Sequence, residues 1–163
     1  MKRLSAALAA LLILPAIALA QGAAAPLEGR LKKIKDAQAI GIAYRTDAAP
    51  FSFEDNQQPV GYSIDLCRRV VGALEQQLGV KELKVRWVPV TLQNRFETVA
   101  RGQADLECGA SSVTLGRMRE VDFSSFTFVD GTGLLVKGSL AAKGLGDLGG
   151  KRIGVIGGSS NEK

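Results

Sequence analysis

The sequence predicts an α/β fold in which helices cover a parallel β-sheet. Between residues 40 and 108, apolar runs of strand length alternate with segments of helical periodicity in the order βαβαβ. Strands that are joined through single short crossovers pair in parallel, with the helices packed on the sheet faces. A hydrophobic content of 46% and a charged content of 23% are typical of a globular chain.

The sheet is expected to begin after a short basic helix. We predict this helix at residues 31–39 and the first strand at residues 40–44, where an apolar run leads into Arg45 and a loop containing Pro50.

The second helix carries clear boundary signals. Ser63 is a favourable N-cap, Asp65 lies in the first turn near the positive end of the helix dipole, and Gly79 is a favourable stop. One face of this helix is expected to be buried, formed by Cys67, Val70, Val71, Leu74 and Leu78.

A strand at residues 83–90, a helix at 93–101 and a strand at 104–108 complete the βαβαβ unit. The loops that follow the three strands begin at Arg45, Thr91 and Gly109. Open α/β sheets bind ligands at the carboxyl ends of their strands, so these loops are predicted to form one cleft.

The pattern changes after Asp122. Apolar runs at 126–129 and 133–136 and a third at 152–156 are predicted to be strands. A glycine- and serine-rich turn follows the last of them, typical of a connection from a strand to a helix. We therefore expect the chain to be truncated within an α/β unit.

Residues 1–20 are predicted to be a cleaved signal peptide. Lys2 and Arg3 form a positive start, and an uncharged apolar segment of 17 residues ends in the small-residue site Ala18-Leu19-Ala20. This segment is short for a membrane span, which needs about 20 residues. A flexible lead-in is expected at residues 21–30.

Export would place Cys67 and Cys108 in an oxidising compartment, where a disulfide is available to them. Each lies at a predicted buried position, one on a helix face and the other at the end of an apolar strand. Because free cysteine is among the most buried residue types, we expect two packed, unpaired cysteines. A disulfide stays the alternative, since the sequence does not give the distance between the two Cα atoms.

The absence of histidine excludes several classes of site. Ser-His-Asp hydrolases, Cys-His proteases and histidine-ligated metal centres all need this residue. Two cysteines are too few for a four-cysteine zinc site, and no metal or cofactor is expected. The net charge of +5 includes two leader residues and no Lys/Arg-rich run occurs, so no nucleic-acid partner is expected.

Three arginines lie on loops at predicted strand ends: Arg45, Arg95 and Arg117. The planar guanidinium is suited to binding a carboxylate through two parallel hydrogen bonds. Short hydroxyl side chains stand near Arg117 in the sequence, at Ser111, Ser112 and Thr114. Together these residues indicate a site for a ligand that bears carboxylates.

Glu107 is the acid that could act as a buried base. Strand alternation puts it on the face opposite its neighbours Leu106 and Cys108, so we expect a hydrogen-bonded structural role instead. Asp105 and Asp122 have no partner at a useful spacing, and an enzyme is not expected.

Six motifs are distinctive: PFSF at 50–53, VGYSIDLC at 60–67, TLQNR at 91–95, DLECGASS at 105–112, RxRxxDFS at 117–124 and GGSSNE at 157–162. With them the chain resembles the amino-acid-binding proteins of bacterial ABC importers, solute-binding protein family 3, and particularly their glutamate/aspartate type. The resemblance implies a type II periplasmic binding protein fold, a two-lobed α/β clamp.

Within that clamp, the resemblance places the N-terminal part of lobe 1 at residues 31–125. A hinge strand at 126–131 and the truncated start of lobe 2 at 132–163 follow.

The resemblance also implies ligand contacts. Arg117 corresponds to the arginine that binds the ligand α-carboxylate, with the hydroxyl of Ser112 beside it. Arg45 and Arg95 correspond to arginines that bind the side-chain carboxylate of acidic amino acids. Further expected ligand-binding residues are Ser111, Ser159 and Ser160.

The function implied by the resemblance is that of a monomeric periplasmic binder, which delivers glutamate or aspartate to the permease subunits of an ABC importer. Leu92 and Ala110 stand where members of this type can have hydroxyl residues. Another polar amino acid such as glutamine is therefore an alternative ligand. The sequence also leaves open a dehydratase-like enzyme on the same fold, or a fragment without function of its own.

Overall fold

The computed structural model describes residues 26–162. The predicted signal peptide at 1–20 and residues 21–25 of the predicted lead-in lie outside the described residues. The lead-in ends earlier than predicted, because the first helix begins at Gly29.

The order of helices and strands confirms the predicted α/β unit. In chain order the elements are α1 (Gly29–Ala37), β1 (Ala39–Arg45), β2 (Asp47–Ala48), β3 (Ser52–Asp55), β4 (Gln58–Val60), α2 (Tyr62–Leu78), β5 (Lys84–Val90), α3 (Arg95–Ala100) and β6 (Leu106–Cys108).

The main sheet is parallel, as predicted, with the strand order β5-β1-β6. Central strand β1 pairs with β5 from Ala39 opposite Lys84 to Arg45 opposite Val90, and its Tyr44 is paired with Cys108 of β6. The carboxyl ends of all three strands therefore meet at one edge. The core beneath this edge is apolar, and its fully buried members include Ile40, Ile42, Ile64 and Leu78.

A small antiparallel sheet, formed by β2, β3 and β4, occupies the region predicted to be a loop. Its turn places Asn56 and Gln57 in the left-handed backbone region, which asparagine tolerates well but glutamine seldom adopts. Ser52 ties this sheet to the end of β1: its Oγ accepts the Arg45 N–H at 2.9 Å and donates to the Arg45 carbonyl at 3.0 Å. The backbone of Arg45 is thus held on both sides.

Helix α2 departs from prediction at its start. It begins at Tyr62 after Gly61, so Ser63 is not its N-cap. The Ser63 hydroxyl instead donates to the carbonyl of Gly109 at 2.8 Å, which joins α2 to the loop after β6. The predicted stop at Gly79 is confirmed, in the left-handed region at φ 64°.

The expectation of unpaired cysteines is wrong. Cys67 of α2 and Cys108 of β6 form a disulfide across 41 positions of sequence, with their Cα atoms 6.4 Å apart. Packing α2 against the sheet brings both Cα atoms within disulfide range. The same burial that suggested two free thiols thus places the sulfur atoms together.

Residues 109–162 contain little regular structure. The only helical turns in this described part are 3-10 turns at Arg117–Arg119 and Leu145–Leu148. The strands predicted at 126–129, 133–136 and 152–156, including the hinge strand at 126–131, are not formed. A strand requires a neighbour that completes its backbone hydrogen bonds, and these apolar runs pair with no strand within residues 26–162. No helix in that range has the length and apolarity needed to cross a membrane.

Residues 109–162 expose large apolar side chains, including Phe126 at 77%, Leu135 at 102% and Ile156 at 69%. We expect the chain of residues 21–163 to be poorly soluble, because exposed apolar patches of this kind favour association. Size-exclusion chromatography with light scattering should show aggregates, and replacing these three residues with serine should reduce them. A monodisperse chain with one cooperative melting transition would contradict this prediction.

Candidate functional site

The candidate site lies at the carboxyl edge of the main sheet. Arg45 is the last residue of β1, Arg95 begins α3 after the loop that follows β5, and Ser111 and Ser112 lie just beyond β6. The parallel pairing of the strands accounts for this convergence, as the sequence predicted.

Arg95 is only 2% exposed, which is unusual for arginine. Its Nε donates to Ser111 Oγ at 2.8 Å, and its Nη1 donates to the carbonyl of Leu92. The turn before α3 is closed by Asn94, whose side-chain oxygen accepts the N–H of Thr91 at 2.8 Å. The hydrogen bonds to Leu92 and Ser111 connect the Arg95 guanidinium to this turn and to the loop after β6.

Arg117 approaches the same place from the 3-10 turn. Its Nη1 donates to the carbonyl of Ser112 at 2.8 Å. The guanidinium carbons of Arg117 and Arg95 lie 4.9 Å and 4.2 Å from the ring centroid of Phe96, within the range of a cation–π interaction. One aromatic ring therefore contacts both cations.

Arg45 is held by an acid beside it in the sequence. Its Nε and Nη2 lie 2.7 Å and 2.6 Å from Asp47 Oδ1. The Arg45 side chain is 11% exposed and that of Asp47 69% exposed, so the pair links a buried cation to the surface.

Glu107 supplies a negative charge among these arginines. Ser111 Oγ donates to its Oε1 at 3.3 Å, as the expected hydrogen-bonded role requires. Burial raises the pKa of the Glu107 carboxyl, while Arg95, the Ser111 hydrogen bond, Arg45 and Arg117 act in the opposite direction. Burial and the nearby charge of Arg117 lower the pKa of Arg95 below its ordinary value.

The predicted ligand-binding residues Ser159 and Ser160 follow Gly158, whose backbone contacts one of the arginines. Arg117 Nη2 donates to the carbonyl of Gly158 at 3.3 Å. Ser159 itself closes a turn, its N–H donating to the carbonyl of Ile156 at 3.2 Å, and Ser160 is exposed. Ligand binding by these two serines stays a prediction.

An open cavity of about 440 Å³ is lined by residues that accept hydrogen bonds from two of the arginines. Ser111 and Ser112, the partners of Arg95 and Arg117, line it together with Phe51. The Phe51 ring packs edge-on against Tyr62 and Phe128, at centroid distances of 6.1 Å and 4.9 Å. Both hydroxyl groups and aromatic rings therefore line this space.

Sequence reasoning missed two neighbours of the arginines, Asp47 and Phe96. Asp47 stands two residues after Arg45, a spacing that puts both side chains on one face of an extended segment. Phe96 directly follows Arg95. Adjacency to a candidate arginine was the available signal in both cases.

Across residues 26–162, no group of three or more His, Cys, Asp or Glu residues is arranged to hold a metal ion.

The family described as bacterial extracellular solute-binding proteins, family 3, matches residues 40–143. This chain belongs to that family. The match covers the main sheet from residue 40 onward, helices α2 and α3 and the loops that carry the three arginines, so the resemblance drawn from the motifs is confirmed.

The relatives that match over 99% of the chain include two proteins named for glutamate and aspartate. An L-glutamate/L-aspartate-binding protein of Pseudomonas aeruginosa is 37% identical, and a glutamate/aspartate import solute-binding protein of Salmonella typhimurium is 34% identical. The alignment covers 54% of each relative, so the chain spans about half the length of these proteins.

The crystal structure of an ancestral cyclohexadienyl dehydratase superposes with a TM-score of 0.52 at 29% identity. The match covers 63% of this chain and 40% of that one. The likeness agrees with the predicted type II periplasmic binding protein fold, and the same fold thus occurs in a protein named as an enzyme.

Proposed function

We propose that the protein is the periplasmic solute-binding component of an amino-acid ABC importer, and that it binds glutamate or aspartate for delivery to the membrane permease. In this proposal Arg117 binds the α-carboxylate, and Arg45 and Arg95 bind the side-chain carboxylate.

The observation that carries the proposal is the set of N–H groups that the arginines retain. A guanidinium has five N–H donors. Contacts within residues 26–162 account for two donors on each of Arg45, Arg95 and Arg117. Each guanidinium is thus fixed in position and keeps donors for a ligand, an arrangement that suits carboxylates.

The relatives support the same ligand class, since two proteins that match nearly the whole chain are named for glutamate and aspartate. Leu92 and Ala110 leave glutamine as the alternative ligand, because they remove hydroxyls from the loops around the arginines. Glutamate and glutamine differ in the charge of the side chain, so a variant that removes an arginine can distinguish which of them the site prefers.

Calorimetric titration of the full-length protein with glutamate and glutamine tests this assignment. Arg45→Ala should weaken glutamate binding at least tenfold more than glutamine binding, because it removes a charge-assisted hydrogen bond that only the carboxylate makes. Arg95→Lys, which keeps the charge of the buried side chain but not its fork geometry, should act in the same direction.

Arg101→Ala is the matched control. Arg101 is exposed and pairs with Glu97 on the surface of α3, so its loss should leave both affinities unchanged. Equal losses for glutamate and glutamine in Arg45→Ala would reject the assignment of the side-chain site. Turnover of a cyclohexadienyl acid by the purified protein would favour a dehydratase instead.

A further inference from the structure

We propose that Glu107 is a specificity-determining residue, whose negative charge opposes a ligand carboxylate in the arginine site and couples its binding to proton uptake. This inference rests on the proposed function, because it concerns the arginines assigned to the ligand side chain.

The position of the Glu107 carboxyl is set by the loop after β6. A Cβ at residue 109 would overlap Glu107 Oε1, so glycine at this position lets the carboxyl lie against the backbone. Ser111 then bridges the acid to an arginine: its hydroxyl donates to Glu107 at 3.3 Å and accepts from Arg95 Nε at 2.8 Å. Glu107 and Arg95 are thus connected through one hydroxyl group.

Three arginines on different elements act electrostatically on the Glu107 carboxyl. The cations are Arg45 at the end of β1, Arg95 on α3 and Arg117 on the 3-10 turn. Glu107 lines a second groove, to which helix α2 contributes Ser63 and the disulfide-bonded Cys67, and neither of these carries a charge. The other acids that line this groove are Asp105 and Asp122.

A ligand carboxylate bound by Arg45 and Arg95 would share these cations with Glu107. Two carboxylates that share a charged site cannot both ionise easily, so the second raises the pKa of the first. Burial already raises the pKa of Glu107. Burial and a bound ligand carboxylate therefore both favour the protonated form of Glu107.

The sign of the effect follows from linkage. A ligand that raises the pKa of Glu107 binds the protonated form more tightly, so binding takes up a proton and affinity rises as the pH falls. Glutamine, whose side chain is neutral at the same position, should show a smaller coupling. The charge of Glu107 therefore lowers the preference for an acidic ligand over its amide.

The test is calorimetry of the full-length protein at pH 6 in two buffers of different ionisation enthalpy, with glutamate and glutamine as ligands. The wild type should take up more of a proton with glutamate than with glutamine. Glu107→Gln keeps an acceptor for Ser111 and removes the charge. It should abolish the difference in uptake and raise the glutamate-to-glutamine affinity ratio about tenfold, which corresponds to about 1.4 kcal/mol of charge coupling.

Asp122→Asn is the matched control, since Asp122 is an exposed acid of the same groove and should leave uptake and ratio unchanged. Proton uptake that persists in Glu107→Gln, or a parallel loss of affinity for both ligands, would overturn the inference. If that variant fails to fold, equal wild-type uptake with the two ligands overturns it as well. Failure of the proposed function is distinguishable, because the wild type would then not bind glutamate at all.

Discussion

Replacement of Arg117 by alanine is expected to weaken amino-acid binding by about 3 kcal/mol or more, a loss of over a hundredfold in affinity. The proposed α-carboxylate would lose its cation while being desolvated beside Ser112. The change would also remove the hydrogen bonds from Arg117 to the carbonyls of Ser112 and Gly158. Glutamate and glutamine should be affected alike, because both carry the α-carboxylate.

Titration calorimetry of the full-length variant measures this loss. Arg119→Ala is the matched control, because Arg119 is an exposed arginine of the same 3-10 turn. It should bind like the wild type. A comparable affinity in the Arg117 and Arg119 variants would reject the role assigned to Arg117.

Removal of the disulfide is expected to lower the free energy of unfolding by about 4 kcal/mol, the chain-entropy estimate for a loop of this length. The bond joins Cys67 and Cys108 across 41 positions of sequence. That loss is a large part of the roughly 5–15 kcal/mol by which domains are stable. Because Cys108 immediately precedes the loop with Ser111 and Ser112, reduction should also loosen the candidate site.

Urea unfolding with and without a reductant checks the prediction, and mass spectrometry should show a gain of two hydrogens on reduction. The double variant Cys67→Ala/Cys108→Ala should unfold at lower urea and should not respond to the reductant. An oxidised protein whose unfolding midpoint is unchanged on reduction would show that the bond contributes little.

The parts of the fold predicted correctly depend on local sequence. The apolar runs that predicted β1 and β5, and the stop at Gly79, reflect the backbone preferences of a few consecutive residues. The convergence of Arg45 and Arg95 follows from the parallel order of the strands, which short crossovers impose. Strand ends and loops could therefore be located before any tertiary contact was known.

The predictions that were wrong concern residues whose interaction partners are distant in sequence or are not indicated by the local sequence pattern. Ser63 has the right chemistry for an N-cap, but packing of α2 offers it the Gly109 carbonyl instead. The apolar run at 126–129 has strand composition, but composition supplies no neighbouring strand to complete its hydrogen bonds.

The sequence by itself determined the order of the βαβαβ unit, the positions of its three arginines at the strand ends and the family to which the chain belongs. Tertiary structure decided the bond between Cys67 and Cys108 and the placement of Glu107 among the arginines. The physical reason is that helix and strand preferences act between near neighbours. Disulfides and charge clusters instead depend on distances between segments that only packing brings together.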